Sequence, residues 1–322
     1  MGPRAILSGM LLATGALITV PRGASAQAPA SSPNTTVEGL TVIGPSQPDA
    51  KQLPSIVFKF VQSHGAPGRI DQLTRWGTPP CPITAGLPEA FNSFVSKRVV
   101  EVASQVGAPT SKKPTCRMNL LIVFTDQPQA LLDKVRRQRP QLLGFHYHAQ
   151  AKRLATISRP IQAWYVTGTR SSRPSSNDDM GGLVKLDDPF EEMSGGAAGS
   201  RLTSHISSEF MAALVVVDTT KTAGQPIGAI ADHVAVLSLT RPAQPRPCGE
   251  LPSILDVMNP DCPSDRGVES VTSWDLAYLK ALYRVDSEEY RPTQQGRIVD
   301  RMVRESKDPP PTKDRLDQSR QR

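Results

Sequence analysis

The sequence predicts a single α+β domain over residues 54–304 of the 322-residue chain, in which a small mixed sheet is packed by helices. Apolar residues recur every three or four positions from residue 88 to 106, which is typical of a helix, and Gly107 supplies its stop. Two continuous apolar runs, 120–125 and 213–217, are typical of buried strands. About 250 residues are enough for one well-cored domain.

Further elements follow from local signals. Residues 56–61 predict a short helix ending at Gly65, and residues 161–167 predict another strand. Asp126 is placed to cap a helix that has Pro128 in its first turn and that Pro140 ends. The last predicted elements are a helix that opens at Trp274 and a final basic helix over residues 295–303.

The N-terminus has the features of a secretory signal peptide over residues 1–26. Arg4 precedes an apolar run over residues 5–20, and Ala24-Ser25-Ala26 forms a small-residue cleavage site. The run is shorter than the roughly 20 apolar residues of a spanning helix. We expect cleavage near Ala26, a mature protein in the periplasm or outside the cell, and no transmembrane segment.

Three other segments have the composition of unstructured chain. They are a leader over residues 27–53, a mobile insertion over residues 171–199, and a charged tail over residues 305–322. Within the leader, the octet 37–44 (Val-Glu-Gly-Leu-Thr-Val-Ile-Gly) resembles the TonB box of outer-membrane receptors, which implies docking to TonB. A short added β-strand and a simple linker are the alternative interpretations.

The four cysteines predict two disulfides, because an exported chain meets an oxidising compartment. No Cys-x-x-Cys spacing indicates a zinc or redox site. Of the three possible pairings, the one that closes two local loops joins Cys81 to Cys116 and Cys248 to Cys262.

Basic side chains cluster in the middle of the chain, which carries a formal charge of +7. Such a cluster can bind an anionic polymer or membrane surface, although it is also typical of a solvated helix face. An unidentified envelope protein is the other partner that we consider, whereas nucleic acid is excluded by the predicted export. The cluster comprises Lys134, Arg136, Arg137, Arg139, Lys152 and Arg153.

The amphipathic helix predicted after Pro226 can be aligned with the metzincin motif H-E-x-x-H-x-x-G-x-x-H. The alignment places Ala231, Ala235 and Arg241 at the three zinc-ligand positions. Asp232 stands at the position of the catalytic glutamate, and Ser238 at that of the glycine.

The chain that follows carries the resemblance to metzincins. Ser253-Ile254 with Met258 is similar to the Met-turn region. Residues 271–275 (Val-Thr-Ser-Trp-Asp), with Leu282-Tyr283 further on, resemble the opening and the end of the metzincin closing helix. This resemblance implies a single metzincin-like domain with an active-site-type helix that lacks its zinc ligands. Zinc peptidase activity is disfavoured, because catalytic zinc needs about three protein ligands and alanine offers none.

A second resemblance covers the whole chain. It is similar to a family of exported proteins of Gram-negative bacteria, and it implies export but no particular activity. The shared motifs are Arg75-Trp76, Pro80-Cys81-Pro82, Ala163-Trp164-Tyr165 and Trp274-Asp275.

Few other residues suggest chemistry. His146 and His148 would share one face of a strand and are candidate metal ligands, while Asp232 and His233 are candidate catalytic residues. The alternative for the helix that follows Pro226 is a core helix whose alanines permit close packing.

We therefore expect a cofactor-free, non-catalytic binding module on a degenerate metallopeptidase scaffold, a pseudoenzyme. The competing hypothesis is an envelope hydrolase with an unrecognised active site.

Overall fold

A computed structural model describes residues 49–111, 116–144, 148–171, 205–244, 246–259, 261–263 and 267–307. All of them belong to one compact unit, residues 48–322. The elements of the described residues run in the following order: α1 Leu53–His64, β1 Pro82–Ala85, α2 Glu89–Val106, β2 Leu120–Thr125, α3 Pro128–Gln138, a first 3₁₀ turn Pro140–Leu143, α4 His148–Leu154, β3 Ile161–Ser171, β4 Ile206–Asp218, α5 Ile227–Leu239, a second 3₁₀ turn Ile254–Asp256, α6 Ser273–Leu282 and α7 Arg291–Lys307.

The strands form one mixed sheet, which confirms the predicted α+β class. Its strand order is β1-β2-β4-β3 within the described residues. β1, β2 and β4 are parallel, and β3 pairs with β4 in the antiparallel sense. β3 and β4 are longer than the apolar runs that predicted them, because the pairing continues through polar residues as far as Ser171 and Ile206.

The two faces of the sheet are covered by different helices. On one face, Leu120, Ile122 and Phe124 of β2 belong to the main core, which includes buried residues of α1, α2, α5 and α6. On the other face, α3, the first 3₁₀ turn and α4 cover a smaller apolar cluster that includes Trp164 of β3. The Trp164 indole Nε1 donates a hydrogen bond to the Leu154 carbonyl at 2.7 Å, which fixes the end of α4 on the sheet.

Local signals predicted several helix boundaries, but α4 was not predicted, and α7 extends beyond the predicted residues 295–303. Gly107 ends α2 in the left-handed region at φ 77°, as glycine favours. Thr272 begins α6 with a capping box that it shares with Asp275. The prediction that Asp126 caps α3 is wrong, because Gln127 occupies that position and no side chain caps the helix. Phe91 belongs to the apolar repeat that predicted α2, but its side chain is not on the buried face, since the residue is 46% exposed.

Two predicted domain boundaries need small corrections. The leader was expected to extend to residue 53, but α1 begins there, after a turn that starts near Asp49. The tail was expected from residue 305, but α7 continues to Lys307. The signal peptide, the TonB-box-like segment 37–44, residues 172–199 of the insertion and residues 308–322 lie outside the described residues.

Both predicted disulfides are present, joining Cys81 to Cys116 and Cys248 to Cys262. They fit an oxidising compartment. Among the described residues, no helix combines the length and the apolar character needed to cross a membrane.

Candidate functional site

Helix α5 carries most of the residues that the sequence singled out, and it is buried on all sides. Every residue from Ala229 to Leu239 is buried, so the prediction of an amphipathic helix is wrong. The helix lies between α2, the sheet and the second 3₁₀ turn, and the Tyr165 hydroxyl donates to the Leu237 carbonyl at 2.7 Å. Tertiary packing therefore covers the face of α5 that an amphipathic helix would expose to solvent.

The three positions aligned with zinc ligands do not form an open cleft. Ala231 and Ala235 are both 0% exposed. Arg241 follows the extended residue Thr240, which ends α5, and its guanidinium donates to the Pro67 carbonyl at 3.3 Å. The aligned positions therefore share no open cleft, because core packing fills the space around the alanines.

Asp232 joins three parts of the chain. One carboxylate oxygen accepts a hydrogen bond from Arg98 Nε of α2, and the other accepts from the Val271 backbone N–H at 2.8 Å. Its side chain is 5% exposed, whereas that of Arg98 is 29% exposed. The residue aligned with the catalytic glutamate thus forms an ion pair with α2 and a hydrogen bond to the segment before α6.

His233 is a buried histidine held by main-chain oxygen. Its Nδ1 lies 3.2 Å from the Ile254 carbonyl oxygen, so this nitrogen carries the hydrogen. Burial, together with the positive charge of Arg246, lowers the pKa of His233 to about 3. A neutral imidazole bound in this way links α5 to the second 3₁₀ turn.

The predicted histidine pair differs from its expected local structure. His148 is the first residue of α4, so the prediction that it lies on a strand is wrong. His146 lies outside the described residues.

The structure also brings together a serine, a histidine and an aspartate that the sequence did not connect. Ser253 Oγ lies 3.0 Å from His64 Nε2 and 2.7 Å from Asp275 Oδ1. The three residues come from the end of α1, the cap of the second 3₁₀ turn and the first turn of α6. We call them the His64–Ser253–Asp275 cluster.

This cluster differs from a hydrolase triad in two ways. In a triad the histidine lies between the serine and the carboxylate. Here Ser253 lies between the other two, and His64 Nδ1 is 2.8 Å from the Phe60 carbonyl oxygen. All three residues are 0% exposed. The described arrangement stabilises the junction of three elements and offers no nucleophile to a substrate.

Burial dominates the electrostatics of the cluster. Burial, together with the charge of Arg246, lowers the pKa of His64 to about 3. Burial raises the pKa of Asp275, against the opposing effect of hydrogen bonds from Ile254, Ser253 and Thr272. Both effects favour the uncharged form of each group.

A buried ion pair lies beside the cluster. Arg246 Nη2 is 2.6 Å from Asp256 Oδ1, and Asp256 Oδ2 accepts from the Ser253 backbone N–H at 3.1 Å. The ligand atoms of Asp256, Cys248 and Cys262 lie within 4.8 Å of one another. Because the two sulfurs form a disulfide and Asp256 binds Arg246, this group offers no free metal ligand set.

The six basic residues of the cluster lie on α3, directly after α3 and on α4. Among the described residues, none of its six side chains forms an ion pair or hydrogen bond, and Asp133 is the one acidic residue between positions 128 and 154. Five of the six are exposed and Arg136 is half-buried. We call these residues, Lys134, Arg136, Arg137, Arg139, Lys152 and Arg153, the basic surface.

Sequence reasoning found this surface but missed the His64–Ser253–Asp275 cluster. The Thr272 and Asp275 pair is visible as a capping box in the sequence. Nothing local connects it to His64, which is 189 residues from Ser253.

No protein-family model, no curated protein and no solved structure matches this chain. The two family resemblances therefore stay predictions that rest on the motifs quoted above.

Proposed function

We propose that this is an exported, non-catalytic protein that binds an anionic polymer of the cell envelope through its basic surface. The observation that carries the proposal is the set of six basic side chains without a described ionic partner. Cationic side chains on a folded surface attract a polyanion through the sum of their electrostatic potentials. The two disulfides support export.

The helices that carry the basic surface, α3 and α4, are packed on the smaller apolar cluster of the sheet. Leu132 of α3 and Ala155, just after α4, are buried in the smaller apolar cluster. Gln129 links the same elements, since its amide donates to the Ala155 carbonyl at 2.8 Å and accepts from the Ile157 N–H at 3.0 Å. Lys134 and Arg137 are three residues apart and lie on one side of α3. A polymer would therefore meet cations at fixed positions rather than on a loose segment.

The burial of the other suggestive groups favours binding over catalysis. Asp232 and His233 are 3% and 7% exposed, and each is committed to bonds that join elements of the core. The competing hypothesis, an envelope hydrolase that uses these two residues, requires them to reach a substrate. The geometry gives it no support comparable to the basic surface.

A degenerate metallopeptidase scaffold remains part of the proposal. What supports it is the order of α5, the second 3₁₀ turn and α6, together with the bond between His233 and the Ile254 carbonyl that places the turn against the helix. The buried alanines at positions 231 and 235 count against that register.

Binding to an immobilised anionic polysaccharide tests the proposal. The mature chain, residues 27–322, should bind dextran sulfate at low salt and release it as salt rises, because surface charges are screened. The double variant Arg137→Glu with Arg153→Glu should lose most of this binding. Both side chains are exposed, so the substitutions should leave the fold intact.

A matched control places the same change of charge elsewhere. Arg304→Glu with Lys307→Glu alters two exposed cations of α7. It should bind dextran sulfate nearly as well as the wild type. Equal losses in both double variants would mean that net charge, not this surface, causes the attraction. No binding by the wild type at low salt would overturn the proposal.

A further inference from the structure

The hydrogen bonds of the His64–Ser253–Asp275 cluster require more protons than an ionised aspartate and a neutral histidine supply. The Ser63 hydroxyl donates to the Phe60 carbonyl at 2.8 Å and so has no hydrogen for His64 Nδ1, 3.0 Å away. The same carbonyl oxygen can only accept, so His64 Nδ1, at 2.8 Å, carries its hydrogen. The Nε2 of a neutral imidazole is then an acceptor. Ser253 Oγ lies 3.0 Å from this nitrogen.

The remaining contacts of Ser253 and Asp275 restrict where hydrogens can lie. Asp275 Oδ2 accepts from the backbone N–H groups of Ile254 at 2.8 Å and Thr272 at 3.0 Å, and from the Thr272 hydroxyl at 2.9 Å. Ser253 Oγ accepts from the Leu255 N–H at 3.1 Å. What remains is the pair of contacts that Ser253 Oγ makes with His64 Nε2 and with Asp275 Oδ1, at 3.0 and 2.7 Å.

One serine hydroxyl hydrogen cannot occupy both of these contacts. With Asp275 ionised and His64 neutral, one contact would join two lone pairs in a site where every residue is 0% exposed. An unsatisfied buried acceptor of this kind is costly. A second proton removes the conflict, either on Asp275 Oδ1 or on His64 Nε2.

The surroundings favour the uncharged arrangement. Arg246, paired with Asp256, is the cation that acts on His64 and opposes an imidazolium there. Of the other titratable groups on elements packed around the cluster, His233 of α5 is bound to the Ile254 carbonyl. Tyr278 of α6 is 3.1 Å from the Thr240 hydroxyl, and Lys59 of α1 pairs with Glu250 at the surface.

We propose that the folded protein holds one proton in the His64–Ser253–Asp275 cluster, on Asp275 Oδ1, at pH values where the unfolded chain has released it. Asp275 then donates to Ser253, Ser253 donates to His64 Nε2, and His64 donates to Phe60. The cluster is a buried proton-binding site that joins α1, the second 3₁₀ turn and α6. This inference is independent of the proposed polymer binding.

The proton makes folding depend on pH in a defined way. Above about pH 6.5 the unfolded chain holds no proton on these two residues, whereas the folded protein holds one. Stability decreases with rising pH wherever the folded state binds more protons. The cluster should therefore make the protein less stable as pH rises from 7, until the cluster itself releases the proton.

The substitution Asp275→Asn reproduces the protonated arrangement without a titrating group. Its amide oxygen can accept from Ile254 and Thr272, and its N–H can donate to Ser253. Urea unfolding between pH 7 and 9 should show that the folding equilibrium constant of the wild type falls with rising pH relative to the variant, by about tenfold per pH unit for as long as the cluster keeps its proton. Parallel pH dependences would overturn the proposal.

Two further measurements keep the test decisive. Infrared difference spectra of the wild type at pH 7.5 should contain the carbonyl stretch of a protonated carboxyl group, and its absence would overturn the proposal even if the variant did not fold. Asp256→Asn is the matched control, since that carboxylate pairs with Arg246. It should lower stability while the alkaline pH dependence and the infrared band remain. Loss of the band in this control would also contradict the assignment to Asp275.

Discussion

Asp232 binds the Val271 backbone N–H through Oδ2 at 2.8 Å, so α5 is tied to the segment that leads into α6. Its second oxygen accepts from Arg98 of α2. One carboxylate thus connects three elements of the main core, which explains why an acidic residue is kept on a helix that is buried on all sides.

Replacing Asp232 should destabilise the protein. Asp232→Ala leaves Arg98 and the Val271 N–H without their acceptor, and breaking a buried ion pair costs about 3 kcal/mol at the lower end of the usual range. The lower end applies because Arg98 is 29% exposed. Urea unfolding of Asp232→Ala, Arg98→Ala and the double variant measures the coupling. Strictly additive losses would contradict a direct interaction between the two side chains.

His233 should make the protein sensitive to acid. The pKa of this histidine is lowered to about 3 by burial, against about 6.5 in an unfolded chain. Between these values the unfolded chain binds a proton that the folded protein does not bind, so stability falls as pH falls from 6.5. We expect about 1.4 kcal/mol per pH unit from this residue.

The variant His233→Gln checks this pH dependence, since it retains an N–H donor and does not titrate. Its free energy of unfolding should decrease less steeply than that of the wild type between pH 6 and 4. Identical slopes would mean that the buried ring takes up a proton without unfolding.

Gly144 should tolerate no side chain. It has φ +64°, and a Cβ there would overlap the Tyr165 carbonyl oxygen of β3. Gly144→Ala combines a left-handed backbone, about 1 to 2 kcal/mol, with overpacking against main chain, about 1 to 3 kcal/mol. Gly107→Ala is the matched control, because Gly107 has φ +77° and nothing within 4 Å of an added Cβ. Thermal unfolding should show the smaller loss in Gly107→Ala.

The triple variant Ala231→His, Ala235→His and Arg241→His tests the metzincin register directly. Because both alanines are 0% exposed, we expect the imidazoles to overpack the core, at about 1 to 3 kcal/mol each. Calorimetric titration should detect no stoichiometric zinc binding. Tight one-to-one binding would contradict this expectation and support descent from a zinc peptidase. Arg241→His alone, outside α5, serves as the stability control.

The sequence by itself determined the elements whose signals are local. Gly107 ends α2 because only glycine adopts a left-handed stop without cost, and Thr272 with Asp275 begins α6 because their groups cap each other. The apolar runs identified β2, β3 and β4 but not β1, and the pairing that closes two local loops, with sequence separations of 35 and 14, identified the disulfides. These features depend on residues close together in the chain.

The tertiary structure decided the roles of the chemically suggestive residues. Ala231 and Ala235 are buried because α2, the sheet and the second 3₁₀ turn surround α5, and a helical pattern cannot indicate how many of its sides are covered. His64 meets Ser253 and Asp275 because α1 ends where α6 begins, although the residues are far apart in sequence. Burial and hydrogen bonding set the protonation of these groups, and both depend on the complete fold.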